Sequence, residues 1–307
     1  MAIELAKEKY NSAINVVELK FGASGPAVSI GGETALPYLF KEGDMPHAPV
    51  IAPEVMDCEP VEWPELLRKE LGDAAKDPVS WAKSAVEKTG AKVLCVRLQS
   101  AHPDWGNKTI DNSVAVLKNI AGEVKVPLIV IGCGDDDLDR DLLPKASDAL
   151  KGTSSLFGIA SQDNYKTLTV TCLADGHSII AESPIDINIA KQVNILISDM
   201  GFDPKRIVMH PTTTSLGYGM EYVYSIMERA RLAAFLGDKM LSMPFILFAG
   251  QEVWKVKEAK DFAVQGVNWE IATSVAMLQA GADIIVVRHP DSAIELNKYI
   301  ATLSCKL

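Results

Sequence analysis

One recurrence constrains this chain more than any other feature. Eight short apolar runs, rich in Val and Ile, alternate with segments of helical pattern. The runs are Val50–Met56, Lys92–Leu98, Leu128–Ile131, Ser155–Ala160, Ser178–Ala181, Ile207–Met209, Phe245–Ala249 and Asp283–Val287. None shows the period-two alternation of a strand with one wet face. Each is therefore expected to be buried on both sides, as in a parallel sheet. The intervening segments carry helix punctuation. Asp77-Pro78 reads as an N-cap followed by proline at the first helical position, and Gly90 as the stop. After Asp186, the residues Ile189, Val193, Leu196 and Met200 share a helical face that ends at Gly201. Met220, Val223, Met227, Ala230 and Ala234 repeat the spacing. A last helix, from about Asn268, closes in Ala280-Gly281-Ala282-Asp283 directly before the eighth run, as an αβ return should. Eight such units across residues 47–307 predict an α/β fold, a (β/α)8 TIM barrel. The runner-up is a doubly wound open sheet, which calls for a glycine-rich fingerprint after its first strand. The first run ends instead in Glu54-Val55-Met56-Asp57.

Residues 1–46 stand outside this rhythm. Val16–Leu19 and Ala27–Ile30 flank the turn-rich Gly22-Ala23-Ser24-Gly25-Pro26, which predicts a β-hairpin forming an N-terminal arm.

Charge and cysteine usage exclude several functions. The 307 residues carry a net charge of −10, against the clustered Lys and Arg that nucleic acid requires. No apolar run approaches the roughly 20 residues of a membrane span, and the N-terminus lacks a basic-then-apolar export signal. Cys58, Cys95, Cys133, Cys172 and Cys305 are far apart and never form C-x-x-C. Neither an iron–sulfur cluster nor structural zinc is expected within the chain, and a reducing, cytoplasmic setting fits.

A barrel places its active face after the C-terminal strand ends. Common barrel chemistries fit that face poorly. No His-x-His marks a zinc hydrolase, and His210 and His289, the pair that could converge, each precede proline. Lys92 and Lys205 lie at N-terminal strand ends, wrong for a Schiff base. Glu182 and Glu252 could be drafted as a glycosidase pair, although bonding loop amides is the simpler role. The acidic run Asp135–Asp141 imitates a calcium loop, but Arg140 stands where glycine is needed and Ala146 where glutamate is needed. Complementing a helix dipole explains it better. Asp175-Gly176-His177-Ser178-Ile179-Ile180 imitates a cobalamin-ligating D-x-H-x-x-G loop without its final glycine, and reads as a tight αβ turn.

The stretch after the sixth run is the most unusual. His210-Pro211 leads into four consecutive hydroxyls, Thr212, Thr213, Thr214 and Ser215, then Leu216-Gly217-Tyr218-Gly219 and an amphipathic helix. N-capping accounts for one hydroxyl and not four; the rest, with the backbone N–H groups, could grip a polar ligand edge. Within the helix, Glu228 and Arg231 are spaced to pair.

This stretch, with Glu221-Tyr222-Val223-Tyr224-Ser225 and Met227-Glu228-Arg229 after it, resembles the signature of corrinoid iron–sulfur proteins. Together with the barrel opening Pro49 to Asp57, the chain resembles the small-subunit family, the CO dehydrogenase/acetyl-CoA synthase delta subunits. The resemblance implies a heterodimer with a large corrinoid iron–sulfur subunit, which the arm of residues 1–46 would contact. The pair would carry a methyl group on a corrinoid (cobalamin) in the acetyl-CoA pathway. The donor would be a methyltetrahydrofolate:corrinoid methyltransferase and the acceptor acetyl-CoA synthase/CO dehydrogenase. This barrel would be a non-catalytic or accessory component that caps the cofactor, supplying orientation and shielding. The implied corrinoid contacts are Thr212, Thr213, Thr214, Ser215, Gly217 and Tyr218, with Ser161, Gln162 and Asn164 from the fourth-strand loop. The alternative is a pterin-dependent methyltransferase acting by itself, drawing on Asp57, Asp135, Asp163 and Asn164.

Overall fold

A computed structural model describes residues 7–39 and 42–304. A two-stranded hairpin, β1 (Val17–Lys20) and β2 (Ala27–Ile30), precedes eight parallel strands. These are β3 (Val50–Met56), β4 (Leu94–Arg97), β5 (Leu128–Ile131), β6 (Leu156–Ala160), β7 (Ser178–Glu182), β8 (Ile207–His210), β9 (Ile246–Leu247) and β10 (Ile284–Val287). The eight form one sheet in the order β8-β7-β6-β5-β4-β3-β10-β9. A single parallel bridge from Met209 to Phe245 joins its two ends and closes the barrel. Helices wrap the outside. They are α1 (Glu65–Leu71), α2 (Pro78–Thr89), α3 (Ile110–Val124), α4 (Asp136–Ala149), α5 (Tyr165–Asp175), α6 (Ile187–Asp199), α7 (Met220–Phe235), α8 (Ala249–Val253), α9 (Lys257–Asp261), α10 (Ala263–Gln279) and α11 (Pro290–Ser304).

The apolar runs lack alternation because every position in β3, β5, β8 and β10 is buried. Residues such as Val50, Ala52, Ile129, Ile131, Val208 and Val286 fill the barrel, while Ile51, Val55, Leu128, Val130 and Val287 pack against the helices. The predicted caps are present. Asp77 accepts from Ser80 N at 2.9 Å, and Gly90 ends α2 with a φ of 64°. Asp135 caps α4 through Asp137 N and Leu138 N, as the dipole reading of the acidic run requires. Asp175-Gly176-His177 is an αβ turn. Its His177 is buried, accepts from Ser155 N through Nδ1 and faces Ser147 O through Nε2. Cys58, Cys95, Cys133 and Cys172 are free and buried, and Cys305 lies outside the described residues.

The hairpin is not a free arm. Val17 and Leu19 face inward while Glu18 between them stays exposed, and both join Ile30 in the barrel's interior cluster. Lys20 pairs with Ser154 across the N-terminal end. The hairpin therefore plugs the bottom of the barrel.

Three local expectations are corrected. The strand expected over Phe245–Ala249 shrinks to two residues because α8 begins at Ala249. The buried face of α6 is Ala190, Val193, Asn194 and Ile197, rotated from the expected stripe. Asn194 is the cause: its amide reaches Met240 O at 2.8 Å, so a polar residue takes a core position. Arg231 does not pair with Glu228. It turns inward to Asp283, and Glu228 accepts instead from the Tyr38 hydroxyl.

Candidate functional site

The C-terminal strand ends form a polar mouth. At its β8 side the chain leaves His210 and enters the hydroxyl loop with a strained step. Thr212 has a φ of 61°, a left-handed value that a β-branched residue rarely adopts. Its Oγ1 donates to Ser183 O at 2.7 Å and holds it there. Thr213 points inward at 4% exposure, and its hydroxyl accepts from Phe248 N at 2.8 Å. Ser215 is 2% exposed, and its carbonyl accepts from Tyr218 N to close the turn. Gly217 and Gly219, at φ values of 80° and 97°, supply the reversal. Two bonds tie the loop to α10: Leu216 N to Thr273 Oγ1, and Trp269 Nε1 to Leu216 O. Tyr218 is 50% exposed and donates its hydroxyl to Glu258 of α9 at 2.7 Å. The four hydroxyls thus divide. Thr212 and Thr213 hold the loop, Ser215 is interior, and the buried Thr214 Oγ1 has no partner among the described residues. Ser183 Oγ, at the adjacent end of β7, is also buried without one.

His210 lies beneath this loop. Its Nδ1 meets Ile246 O at 3.1 Å, so the proton is assigned to that nitrogen, and its Nε2 faces Glu182 Oε1 at 3.5 Å. Burial holds the imidazole down at about 4, so it is neutral at physiological pH. Burial and the nearby Asp136 raise the Glu182 carboxyl.

In the other half of the mouth, Glu54, Gln251 and Arg288 stand at the C-terminal strand ends where a barrel's active face is expected, and Arg97 among them escaped the sequence reading. Glu54 of β3 is fully buried between two arginines. Arg97 Nε donates to its Oε1 at 2.7 Å, and Arg288 Nε to its Oε2 at 2.6 Å. Burial alone would raise the Glu54 carboxyl, but Arg288 and Arg97 outweigh it and hold it at about 2. Arg97 also reaches Gln251 Oε1 at 2.8 Å, and the Arg288 guanidinium lies 4.4 Å from the Trp63 ring centroid. Glu270 of α10, buried, accepts from Arg288 N at 2.7 Å and from His289 N at 3.3 Å, fixing the exit from β10.

The remaining candidates are engaged elsewhere. Asp57 is buried and accepts from Ser100 N and Ser100 Oγ. Asn164 accepts from Ser161 N and donates to Asp136, beside a groove of about 180 Å³ between α4 and α5. The side chains of residues 161–164 bond within their own loop and to Asp136, and not to residues 212–218; Gln162 is exposed. Glu252 accepts from Lys255 and Gln251 side chains rather than from loop amides. His210 stacks edge-on against Phe248 and His289 lies over Trp254, so the two histidines do not meet.

Known proteins show both the fold and the family. Dihydropteroate synthase from Xanthomonas albilineans superposes with a TM-score of 0.60 at 12% identity, over 85% of this chain and 96% of that one. The enzyme from Thermus thermophilus gives 0.58 at 10%, over 89% and 98%. At such identities the likeness concerns the barrel alone. The acetyl-CoA decarbonylase/synthase complex subunit delta of Methanopyrus kandleri is 32% identical over 277 residues, 88% of this chain and 68% of its own. That of Methanothermobacter thermautotrophicus is 31% identical over 94% of this chain and 77% of its own. The family model described as CO dehydrogenase/acetyl-CoA synthase delta subunit matches residues 18–301, and the chain belongs to that family.

Proposed function

We propose that this chain caps a corrinoid held by a larger corrinoid iron–sulfur subunit, as the accessory member of a methyl-carrying heterodimer. In this reading the carrier receives its methyl group from a methyltetrahydrofolate:corrinoid methyltransferase and passes it to acetyl-CoA synthase/CO dehydrogenase. The names of the relatives put those proteins in an acetyl-CoA decarbonylase/synthase complex, which supports the setting. The observation that carries the reading is the pair of buried, unpartnered hydroxyls at Thr214 and Ser183 beside the exposed Gly217–Tyr218 turn. Each such hydroxyl costs about 1–3 kcal/mol unless something bonds it. An amide-fringed ligand edge laid across the mouth supplies that partner.

When bound, the corrinoid supplies the methyl-carrying chemistry. The chain's own residues position and exclude water. Thr214 and Ser183 hold the edge, Gly217 lets the backbone approach closely, and the Tyr218 ring covers the rim. Gln162 reaches from the fourth-strand loop, where Ser161 and Asn164 shape the turn. The neutral His210 adds no positive charge to this half of the mouth. The segment of residues 1–46 meets the larger subunit with its outward face, because Val17, Leu19 and Ile30 belong to the barrel. The pterin reading has less support: of Asp57, Asp135, Asp163 and Asn164, only the Asp163 side chain lacks a described partner.

The test is the native complex, isolated without oxygen. A heterodimer with a larger Cys-rich chain, carrying cobalt in equal amount, is expected. Thr214→Val with Ser183→Ala should lower its corrinoid retention several-fold. A cobalt-free homo-oligomer that transfers methyl groups unaided would overturn the reading in favour of the pterin methyltransferase.

A further inference from the structure

Beside the hydroxyl loop, between the ends of β3, β4 and β10 and helix α8, lies a separate cavity of about 320 Å³. A cavity of this size takes a small molecule or a side group, and not a macrocycle. Arg97 and Arg288 line it, and Glu54 lies beneath them. Their side chains are only 12% and 10% exposed. Two largely shielded guanidinium charges therefore meet one carboxylate at the floor of an open pocket, leaving a surplus of positive charge. An arginine cannot shed that surplus by deprotonation. Further out, Lys255 and Lys260 line the same cavity with Glu62, and Lys255 is paired with Glu252 at 2.8 Å. This is a local reversal of sign in a chain whose net charge is −10.

Hydrogen bonding agrees with the charge. The Arg288 side chain donates only through Nε, to Glu54, and the Arg97 side chain only through Nε and Nη2, among the described residues. Arg97 Nη1 and both Nη atoms of Arg288 donate to nothing among the described residues. The guanidinium of Arg288 is nevertheless fixed in place by Glu54 on one edge and the Trp63 ring on its face. Pre-oriented donors with no acceptor, on cations with too few counter-charges, suit an oxyanion, for which guanidinium geometry is matched.

We propose that this pocket is an oxyanion site, in which Arg97 and Arg288, braced by Glu54, bind a phosphate or carboxylate group. A free small anion and an acid group carried on a larger ligand share this chemistry. The site does not depend on the corrinoid reading, because it can be titrated in the cobalt-free chain.

The experiment is calorimetric titration of the full chain with inorganic pyrophosphate, and with phosphate for comparison. Saturable binding that weakens with ionic strength is expected. In Arg288→Gln the affinity should fall about tenfold or more, whereas Lys145→Gln, on the outer surface, should leave it unchanged. Absence of saturable heat with both anions overturns the proposal, and so does undiminished binding to Arg288→Gln. Should that variant fail to fold, wild-type protein decides. Pyrophosphate must then slow phenylglyoxal modification of Arg97 and Arg288 several-fold, and equal rates reject the site. Repeating the titration on the native corrinoid-loaded complex assigns the source. Lost heat gives the site to an acid group of the resident ligand, and retained heat gives it to a separate anion. Failure here leaves the capping role standing, and a cobalt-free complex leaves this site standing.

Discussion

The two ends of the barrel bury the same kind of network in opposite proportions. At the bottom, Arg231 alone meets two carboxylates. It donates to Asp283 Oδ2 at 2.5 Å and lies 3.9 Å from Glu33 Oε2. At the top, Glu54 alone meets two arginines. An excess of carboxylate has a remedy within the protein: a carboxyl can take up a proton. Burial and the neighbouring Asp283 do raise Glu33 well above the usual carboxylate range, although Arg231 opposes them. An excess of arginine has no such remedy. The bottom thus balances its charge by itself, although Glu33 Oε2 and Arg231 Nη1 are buried there without a hydrogen-bond partner among the described residues, and Asp283 also receives Phe245 N at 2.6 Å. The top keeps donors, charge and hydroxyls in want of partners. Two buried ion clusters of similar composition can therefore differ in kind, one structural and one receptive.

The same substitution at each end tests this difference most severely. Arg231→Gln removes the only cation of its cluster and strands a buried Asp283, at an expected cost of about 3–5 kcal/mol in denaturant unfolding. Arg288→Gln removes a surplus cation and leaves Glu54 with Arg97, so the loss should be about 1–2 kcal/mol, mainly one charged hydrogen bond and a ring contact. Equal losses would erase the distinction between the two ends.

The dependence on pH should also run in opposite directions. Glu54 titrates at about 2 in the fold, below the ordinary glutamate value of 4.5. Its stabilisation is present above that ordinary value and is lost as pH falls toward 2, by roughly 3 kcal/mol. Glu33 is raised, so its contribution is full below the usual carboxylate range and is lost as pH rises through the folded value. Glu33→Gln, which imitates the protonated form, should abolish that alkaline loss and leave the acid limb intact. An unchanged alkaline limb would remove Glu33 from the bottom cluster's titration.

The sequence discloses the barrel more readily than the mouth, for a physical reason. Burial on both faces makes a strand such as Leu128–Ile131 uniformly apolar, and that is a local property of consecutive residues. The sites of Arg97 and Arg231 have no such local signature. Glu54 finds Arg288 across 234 positions, and Arg231 finds Asp283 across 52, so only the closed fold brings them together. An arginine at the end of an apolar run reads as the return to solvent, whereas Arg97 ends β4 and stays inside. The hydroxyl loop falls between these cases. Four hydroxyls in succession announce a site, but a loop has no period. Only the folded chain tells that Thr213 faces Phe248 and that Thr214 faces no partner.

The smallest effect on stability should come from Thr212, and it bears most directly on how the receptive end is built. At a φ of 61° a threonine carries a strain of about 1–3 kcal/mol, whereas glycine carries almost none. Thr212→Gly therefore gains that relief but loses the bond to Ser183 O, worth about 1 kcal/mol, and frees the unfolded chain. These contributions nearly cancel, and the change in unfolding free energy should stay within about 1 kcal/mol. On the proposed capping role, corrinoid retention should nonetheless fall several-fold, because the Thr212 bond to Ser183 O fixes the start of the chain's path toward Thr214 and Tyr218. If retention is unchanged while stability rises, the strain belongs to the turn alone. The loop's geometry is then inherited from the end of β8 and from the α10 contacts at Leu216, and Thr212 has no part in holding the ligand.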